Sequence, residues 1–418
     1  MDNILQVNEK LILNNLINLK QIVFEVTEKC NLNCKYCALS DLYTAYDVRE
    51  NRDLPFEKAK LIIDYFLKLW NENYKTDAVF RASIGFYGGE PLMNMPLIQK
   101  IVYYLEQSEI KGKKFYYSMT TNAMLLDKHM DYLAEKQINL LISLDGDKAS
   151  QSYRVNHIGE NSFDQVFSNV KLLQDTYPDY FNESVRFISV LHNRNDVEPI
   201  YHFFKTNFNK EPTITTLNDT GILEGKKEEF KKMFQNKSMS IRKSKNCETI
   251  EVDHFINTPK GYNLSKNLFY LSGNIFFNYN QLLFNEFNKN VITTGTCTPF
   301  EKRLFVSASG KILPCERIDH DFSLGFVHDD FIELDYKQVA ERHNHFLSKH
   351  FHQCMYCGHK KLCPTCIYQT DGIRGAFPLC ECYSTEKEAN HEKNYIFNYL
   401  RQHPQYYEKV LNEIGFTV

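Results

Sequence analysis

Cys30-Asn31-Leu32-Asn33-Cys34-Lys35-Tyr36-Cys37 is the stretch that decides the fold. Three cysteines stand four and three residues apart. Directly before them runs Gln21-Ile22-Val23-Phe24-Glu25-Val26-Thr27, mostly apolar, β-branched and aromatic, which reads as a buried strand. The cysteines are therefore expected on a loop at the C-terminal end of a strand, where α/β folds place their chemistry. Three thiolates on one short loop can hold three irons of a [4Fe–4S] cube and leave the fourth iron open, whereas electron-transfer clusters use four cysteines. A zinc loop is the competing reading, and it usually asks for four ligands grouped in pairs.

Strand and helix signals alternate beyond this loop. Strands are expected at 21–27, 82–87, 114–120, 138–144, 184–191 and 212–217, and helices at 56–72, 95–109, 126–136, 162–176 and 195–208. Such alternation builds right-handed βαβ units and a parallel sheet. Polar groups recur at the strand ends: Gly88-Gly89-Glu90-Pro91, then Thr120-Thr121-Asn122, then Ser143-Leu144-Asp145, with Arg154 nine residues farther on. Glycines permit close backbone approach, a carboxylate can hold an ammonium, and an arginine fork suits a carboxylate. A plain turn and a surface arginine are the bland readings of these two features.

The cysteine triplet, with Tyr36 before its last member, resembles the signature of the radical S-adenosylmethionine (SAM) enzymes. The resemblance implies an α/β fold, an open (β/α)6 barrel of six parallel strands over residues 21–218. It also implies that Cys30, Cys34 and Cys37 hold a [4Fe–4S] cluster. SAM would be bound by Tyr36, Gly88, Gly89, Glu90, Pro91, Thr121, Asn122, Ser143, Asp145, Arg154 and Leu191, with Arg154 on its carboxylate. A pure core role explains Leu191 equally well.

A second cysteine array occupies 291–383. Cys297 and Cys315 flank Gly310, and Cys354, Cys357, Cys363 and Cys366 form a quartet followed by Cys380 and Cys382. On its own the array is compatible with zinc. Downstream of the barrel it resembles the SPASM domain, which carries two auxiliary [4Fe–4S] clusters and brings the implied total to three. The quartet ends on a spacing of two residues where the family has three. By resemblance Cys354, Cys357, Cys363 and Cys380 hold the distal cluster and Cys297, Cys315 and Cys366 the proximal one. The fourth proximal ligand is either Cys382 or an outside thiolate, because Arg303 stands where some relatives have a cysteine. Cys247 reads as a buried thiol.

The remaining segments are an N-terminal piece (1–20), a bridging region (219–290) crowded with Phe, Tyr and Asn through Phe255–Phe287, and a helical tail (384–418). Members of this family that modify peptides often begin with a leader-binding domain, which twenty-nine residues before Cys30 cannot hold. Leader recognition is expected elsewhere in the chain or on a separate protein. With a formal net charge of −3 nothing suggests a nucleic-acid binder, which would show a basic domain or stripe, and there is no run of eighteen apolar residues to span a membrane. The N-terminus lacks the pattern of a signal peptide. Twelve cysteines in such a chain argue for metal or catalysis in a cytoplasmic protein rather than for disulfides.

The expected function is maturation of a ribosomally made precursor peptide. A 5′-deoxyadenosyl radical, fed by a flavodoxin- or ferredoxin-type reductant, would remove a hydrogen and lead to a crosslink, with a cysteine thioether favoured over a carbon–carbon bond. The alternative is oxidation of a sulfatase Cys or Ser to formylglycine, in which Glu316, following Cys315, would accept a proton. A zinc-bearing binding protein without radical chemistry is the reading from another class.

Overall fold

The computed structural model describes residues 7–414 except 41, 44–46, 75–79, 220, 246, 248–249, 251–260, 262–263, 266–267, 269–295, 360–362, 364, 371, 377 and 381. Most of the aromatic bridging stretch lies outside the described residues. The chain divides into two compact units, one of 9–240 and 299–339, the other of 1–8, 241–298 and 340–418.

The first unit is built on one ten-stranded sheet. Its strands are β1 (Gln21–Thr27), β2 (Phe80–Gly88), β3 (Lys113–Thr121), β4 (Asn139–Ser143), β5 (Val185–Leu191), β6 (Thr213–Thr216), β7 (Leu304–Val306), β8 (Lys311–Leu313), β9 (Gly325–Val327) and β10 (Ile332–Glu333). The spatial order is β10-β9-β8-β7-β1-β2-β3-β4-β5-β6. From β1 to β6 every neighbour is parallel and sequential, as right-handed crossovers require, which gives the α/β partial barrel expected of the chain. The other edge of β1 takes β7, also parallel, and β7–β10 continue as an antiparallel meander.

Periodicity locates the helices because each buries one stripe on the sheet. In Phe56–Glu72 the buried positions are Ala59, Ile62, Ile63, Phe66 and Trp70, three and four apart. Each large side chain so buried contributes about 1.5–3 kcal/mol. Trp70 Nε1 also donates to Leu16 O at 3.1 Å, anchoring the helix Glu9–Ile17. Helix Val197–Phe208 stops where Asn209 adopts a left-handed conformation, φ 49°. Its Phe204 and Phe208 pack with Phe181 and Phe187 at ring-centroid distances of 4.8–6.2 Å.

Three features differ from the sequence expectation, the first being the four strands β7–β10 that extend the sheet from six to ten. The helix expected over 126–136 is a 3₁₀ turn, Leu126–Lys128, followed by a short helix, Met130–Glu135. A further helix, Pro178–Ser184, starts on a proline at its first position, which that position tolerates.

The second unit is helical where described. Its helices include Phe351–Tyr356, Glu386–Gln402 and Gln405–Ile414. Thr385 and Glu388 form a reciprocal capping box at the start of Glu386–Gln402. Ile396 from that helix packs with Tyr406 and Val410, closing a small core with Leu264 and Leu268. Among the described residues no helix is long and apolar enough to cross a membrane.

Candidate active site

β1 delivers the cysteine loop to the C-terminal edge of the parallel sheet. The loop is pinned by backbone bonds to the segment after β4: Asn33 N donates to Val155 O at 2.7 Å and Lys35 N to Tyr153 O at 3.0 Å. His157 Nε2 meets the Cys30 carbonyl at 2.8 Å. Asn122 Nδ2 reaches Asn31 Oδ1 at 2.8 Å and Cys30 Sγ at 3.8 Å. Cys30, Cys34 and Cys37 are all partly buried and free of disulfides. Burial pushes the Cys30 thiol up to about 11 and the Cys34 thiol up to about 12, and a charge on any neighbouring thiolate pushes both further. Without metal Cys30 and Cys34 are neutral thiols at neutral pH. A metal cation would stabilise the thiolates that burial and like charge disfavour, so the donor set fits an iron–sulfur cluster.

β1 is itself locked to the strap that follows the loop. Glu25, a carboxylate inside a hydrophobic strand, accepts from Arg49 Nη1 at 2.5 Å and from Ala308 N at 2.9 Å. Glu28 accepts from Glu50 N, Arg52 N and Arg52 Nε at 2.8–3.1 Å. Asp47 on the same strap pairs with Lys311 at 2.7 Å and His320 at 3.2 Å. Sequence reasoning passed over these groups, although a glutamate at a buried strand position was a signal.

At the end of β2 the glycines approach the chain itself. A Cβ at Gly88 would stand 2.2 Å from Thr27 O, and Gly88 has φ +141°; a Cβ at Gly89 would stand 2.2 Å from Lys29 O. The two glycines thus let β2 press against the root of the cysteine loop. Glu90 is buried and accepts from Thr121 Oγ1 at 2.6 Å, Asn122 N at 2.7 Å and Leu92 N at 3.1 Å. Burial pushes its carboxyl up to about 7, against the pull of those donors. Pro91 opens the 3₁₀ turn Pro91–Asn94. Glu90, Thr121 and Asn122, expected separately on two strand ends, form one cluster.

β4 ends at Ser143, which is half-buried, and Asp145 follows, fully buried. Asp145 Oδ1 accepts from Arg154 Nη2 at 3.1 Å and Val190 N at 2.9 Å, and Oδ2 accepts from the Tyr36 hydroxyl. Burial opposes the Asp145 carboxylate, but Arg154, His192 and Tyr36 outweigh it and hold its pKa below the usual range. The Arg154 guanidinium lies 5.4 Å from the Tyr36 ring centroid, and its buried Nε has no hydrogen-bond partner. An unsatisfied buried cationic donor beside the thiol loop fits an anionic ligand group. Leu191, at the end of β5, is fully buried, while Val190 is half-buried.

In the second cysteine array, Cys315 belongs to the sheet-bearing unit, and Cys297, Cys354, Cys357, Cys363, Cys366, Cys380 and Cys382 to the other. Within the latter, Ile367 N donates to Thr296 Oγ1 at 2.8 Å, which draws the neighbours of Cys366 and Cys297 together. Cys354 N donates to His350 O, Cys380 N to Gln353 Oε1, and Tyr383 N to Cys380 O. The Cys380 thiol is raised by burial first and then by charge on Cys363, Cys382 and Cys357, so these four sulfurs share one neighbourhood. Arg303 Nη1 donates to both carboxylate oxygens of Glu316, at 2.7 and 2.8 Å.

Residues 24–204 match the Radical SAM superfamily. The chain is 29% identical over 181 residues to the radical SAM cyclopropyl synthase TigE of Paramaledivibacter caminithermalis, covering 41% of this chain and 35% of that protein. It is 24% identical over 194 residues to a cysteine-type anaerobic sulfatase-maturating enzyme of Clostridium novyi, covering 45% of this chain and 48% of that protein. The chain thus spans half or less of the curated relatives it matches. Among solved structures, anSMEcpe with bound AdoMet and Cp18Cys peptide superposes with a TM-score of 0.59 at 19% identity, covering 94% of this chain and 99% of that one, a likeness of fold.

Proposed function

We propose that this chain, which carries a radical SAM domain over residues 24–204, is a maturase that modifies a ribosomally made precursor peptide through a radical on one of its carbons. The observation that carries the reading is the pinned loop that brings three half-buried thiols, Cys30, Cys34 and Cys37, to the sheet edge beside the unsatisfied Arg154 Nε. Cys30, Cys34 and Cys37 would hold a [4Fe–4S] cluster, whose open iron and bound SAM supply the 5′-deoxyadenosyl radical. The chain's own part is to bind and orient. Arg154 offers Nε to the SAM carboxylate, and Ser143 and Asn122 stand on the strand ends facing the cofactor. The Glu90 cluster fixes the end of β2 against the thiol loop, and half-buried Val190 offers an apolar surface, while Leu191, fully buried, belongs to the core behind it.

The second cysteine array would carry two auxiliary clusters, and a peptide thiolate bound at one of them would be held near the substrate radical, which favours a thioether. Formylglycine formation is the second reading. It asks Glu316 to accept a proton, whereas here that carboxylate already takes both hydrogen bonds from Arg303. In thioether formation Glu316 would stand beside the site as a further proton acceptor, but a metal-bound thiolate has already lost its proton.

Reconstituted under anaerobic conditions and reduced, the protein should convert SAM to methionine and 5′-deoxyadenosine, and replacing the three loop cysteines with alanine should abolish this. A colourless, zinc-loaded protein that leaves SAM intact would overturn the reading.

A further inference from the structure

We propose that Asp145 is a positioning residue that joins the thiol loop to the cofactor grip. It holds Arg154 Nη2 and the Tyr36 hydroxyl together, so that Arg154 presents Nε to the carboxylate of the amino-acid end of SAM. The inference rests on the reading of this site as a SAM site.

Its basis is the burial of Asp145 and the groups it holds. Both carboxylate oxygens are occupied by Arg154 Nη2, Val190 N and the Tyr36 hydroxyl, and His192 Nε2 lies 3.8 Å from Oδ2. Its backbone is equally engaged: the amide donates to Gln151 Oε1 at 2.8 Å, and the carbonyl accepts from Ser189 Oγ at 3.2 Å. Fully buried, this carboxylate presents no surface to a cofactor and acts through the groups it holds. Arg154 is the reverse case, with one edge fixed and Nε buried without a partner. A guanidinium presents its donors in a rigid plane, so fixing Nη2 fixes the direction of Nε. Tyr36 ties this plane to the loop: its ring lies beside the guanidinium, it precedes Cys37, and Cys37 N closes onto Cys34 O at 3.2 Å. His192 cannot replace Asp145 as the anchor, because its Nε2 is committed to Ser150 O at 3.0 Å and its Nδ1 accepts from Arg194 N at 3.2 Å.

The test compares binding of SAM and of decarboxylated SAM to the anaerobically reconstituted protein, in wild type, Asp145→Asn and Tyr36→Phe. Iron content and thermal unfolding are recorded alongside. Wild type should prefer SAM by about tenfold or more, the value of one charge-assisted hydrogen bond. Both variants should retain their iron, bind SAM more weakly and bind the decarboxylated analogue as wild type does, so that the preference falls about tenfold below that of wild type. General loosening of the site would weaken both ligands alike and leave the ratio intact. An unchanged ratio in Tyr36→Phe, which keeps the ring and removes only the hydroxyl, overturns the inference even where Asp145→Asn fails to fold. A wild type that binds neither compound defeats the SAM-site reading instead.

Discussion

The two cysteine-bearing regions are built in opposite ways. The loop Cys30–Cys37 is tied to the barrel by backbone bonds to Tyr153 and Val155, by Asn122 and His157, and by the Tyr36–Asp145 contact. The only buried side-chain polar atom of the sheet-bearing unit found without a partner is Arg154 Nε, among the described residues. In the other unit three such atoms remain, Ser265 Oγ, His343 Nε2 and Thr365 Oγ1, and Thr365 lies between Cys363 and Cys366. Leaving a buried polar group unsatisfied costs about 1–3 kcal/mol each. The difference teaches that the thiol loop is held in shape by contacts of the polypeptide itself, whereas fewer such ties among the described residues hold the second array.

The largest effect expected from this contrast is on cluster loss. Three clusters predict about twelve irons per chain, four of them lost when Cys30, Cys34 and Cys37 become alanine. Stripping all iron should expose 354–382 to protease while the barrel stays intact. Cleavage that begins in the barrel, or iron saturating near four per chain, would break the comparison.

Next comes the strap that makes the barrel self-sufficient. Glu25→Leu leaves Arg49 and the Ala308 amide without their acceptor and should cost about 3 kcal/mol, read from the denaturant midpoint. A loss within experimental error would mean that the strap is not what stiffens the barrel.

The last effect is a pair of opposed pH slopes, only part of which is felt at a fixed pH between their limits. Burial pushes His343 down to about 4 from 6.5, so the unfolded chain binds its proton first. The stability it contributes is complete above about 6.5 and is lost as pH falls toward 4, by up to about 3 kcal/mol. Glu90 behaves in reverse: raised from 4.5 to about 7, it keeps its proton longer in the fold, and its contribution fades as pH rises through that interval. Hydrogen exchange at pH 5 and pH 7.5 should therefore show helix Tyr336–Lys349 loosening at the acid end and the Pro91–Asn94 turn at the neutral end. His343→Phe should remove the first change and leave the second.

Much of this molecule was legible in its sequence because the deciding signals are local. Gln21–Thr27 announces a strand by composition, Phe56–Glu72 a helix by its spacing, and the cysteine loop announces its chemistry by intervals of a few residues. These depend only on backbone period and on the reach of neighbouring side chains. What only the tertiary structure decided are pairings between distant positions. The short strands after Leu304 join the far edge of β1, and Gly88 and Gly89 make room for the chain's own carbonyls. Tyr36, Asp145 and Arg154 close one buried network that spans more than a hundred residues of sequence. No local rule encodes such contacts, because they exist only once sheet register brings separate strand ends to one edge. There, burial makes each unpaired charge costly enough to demand its partner.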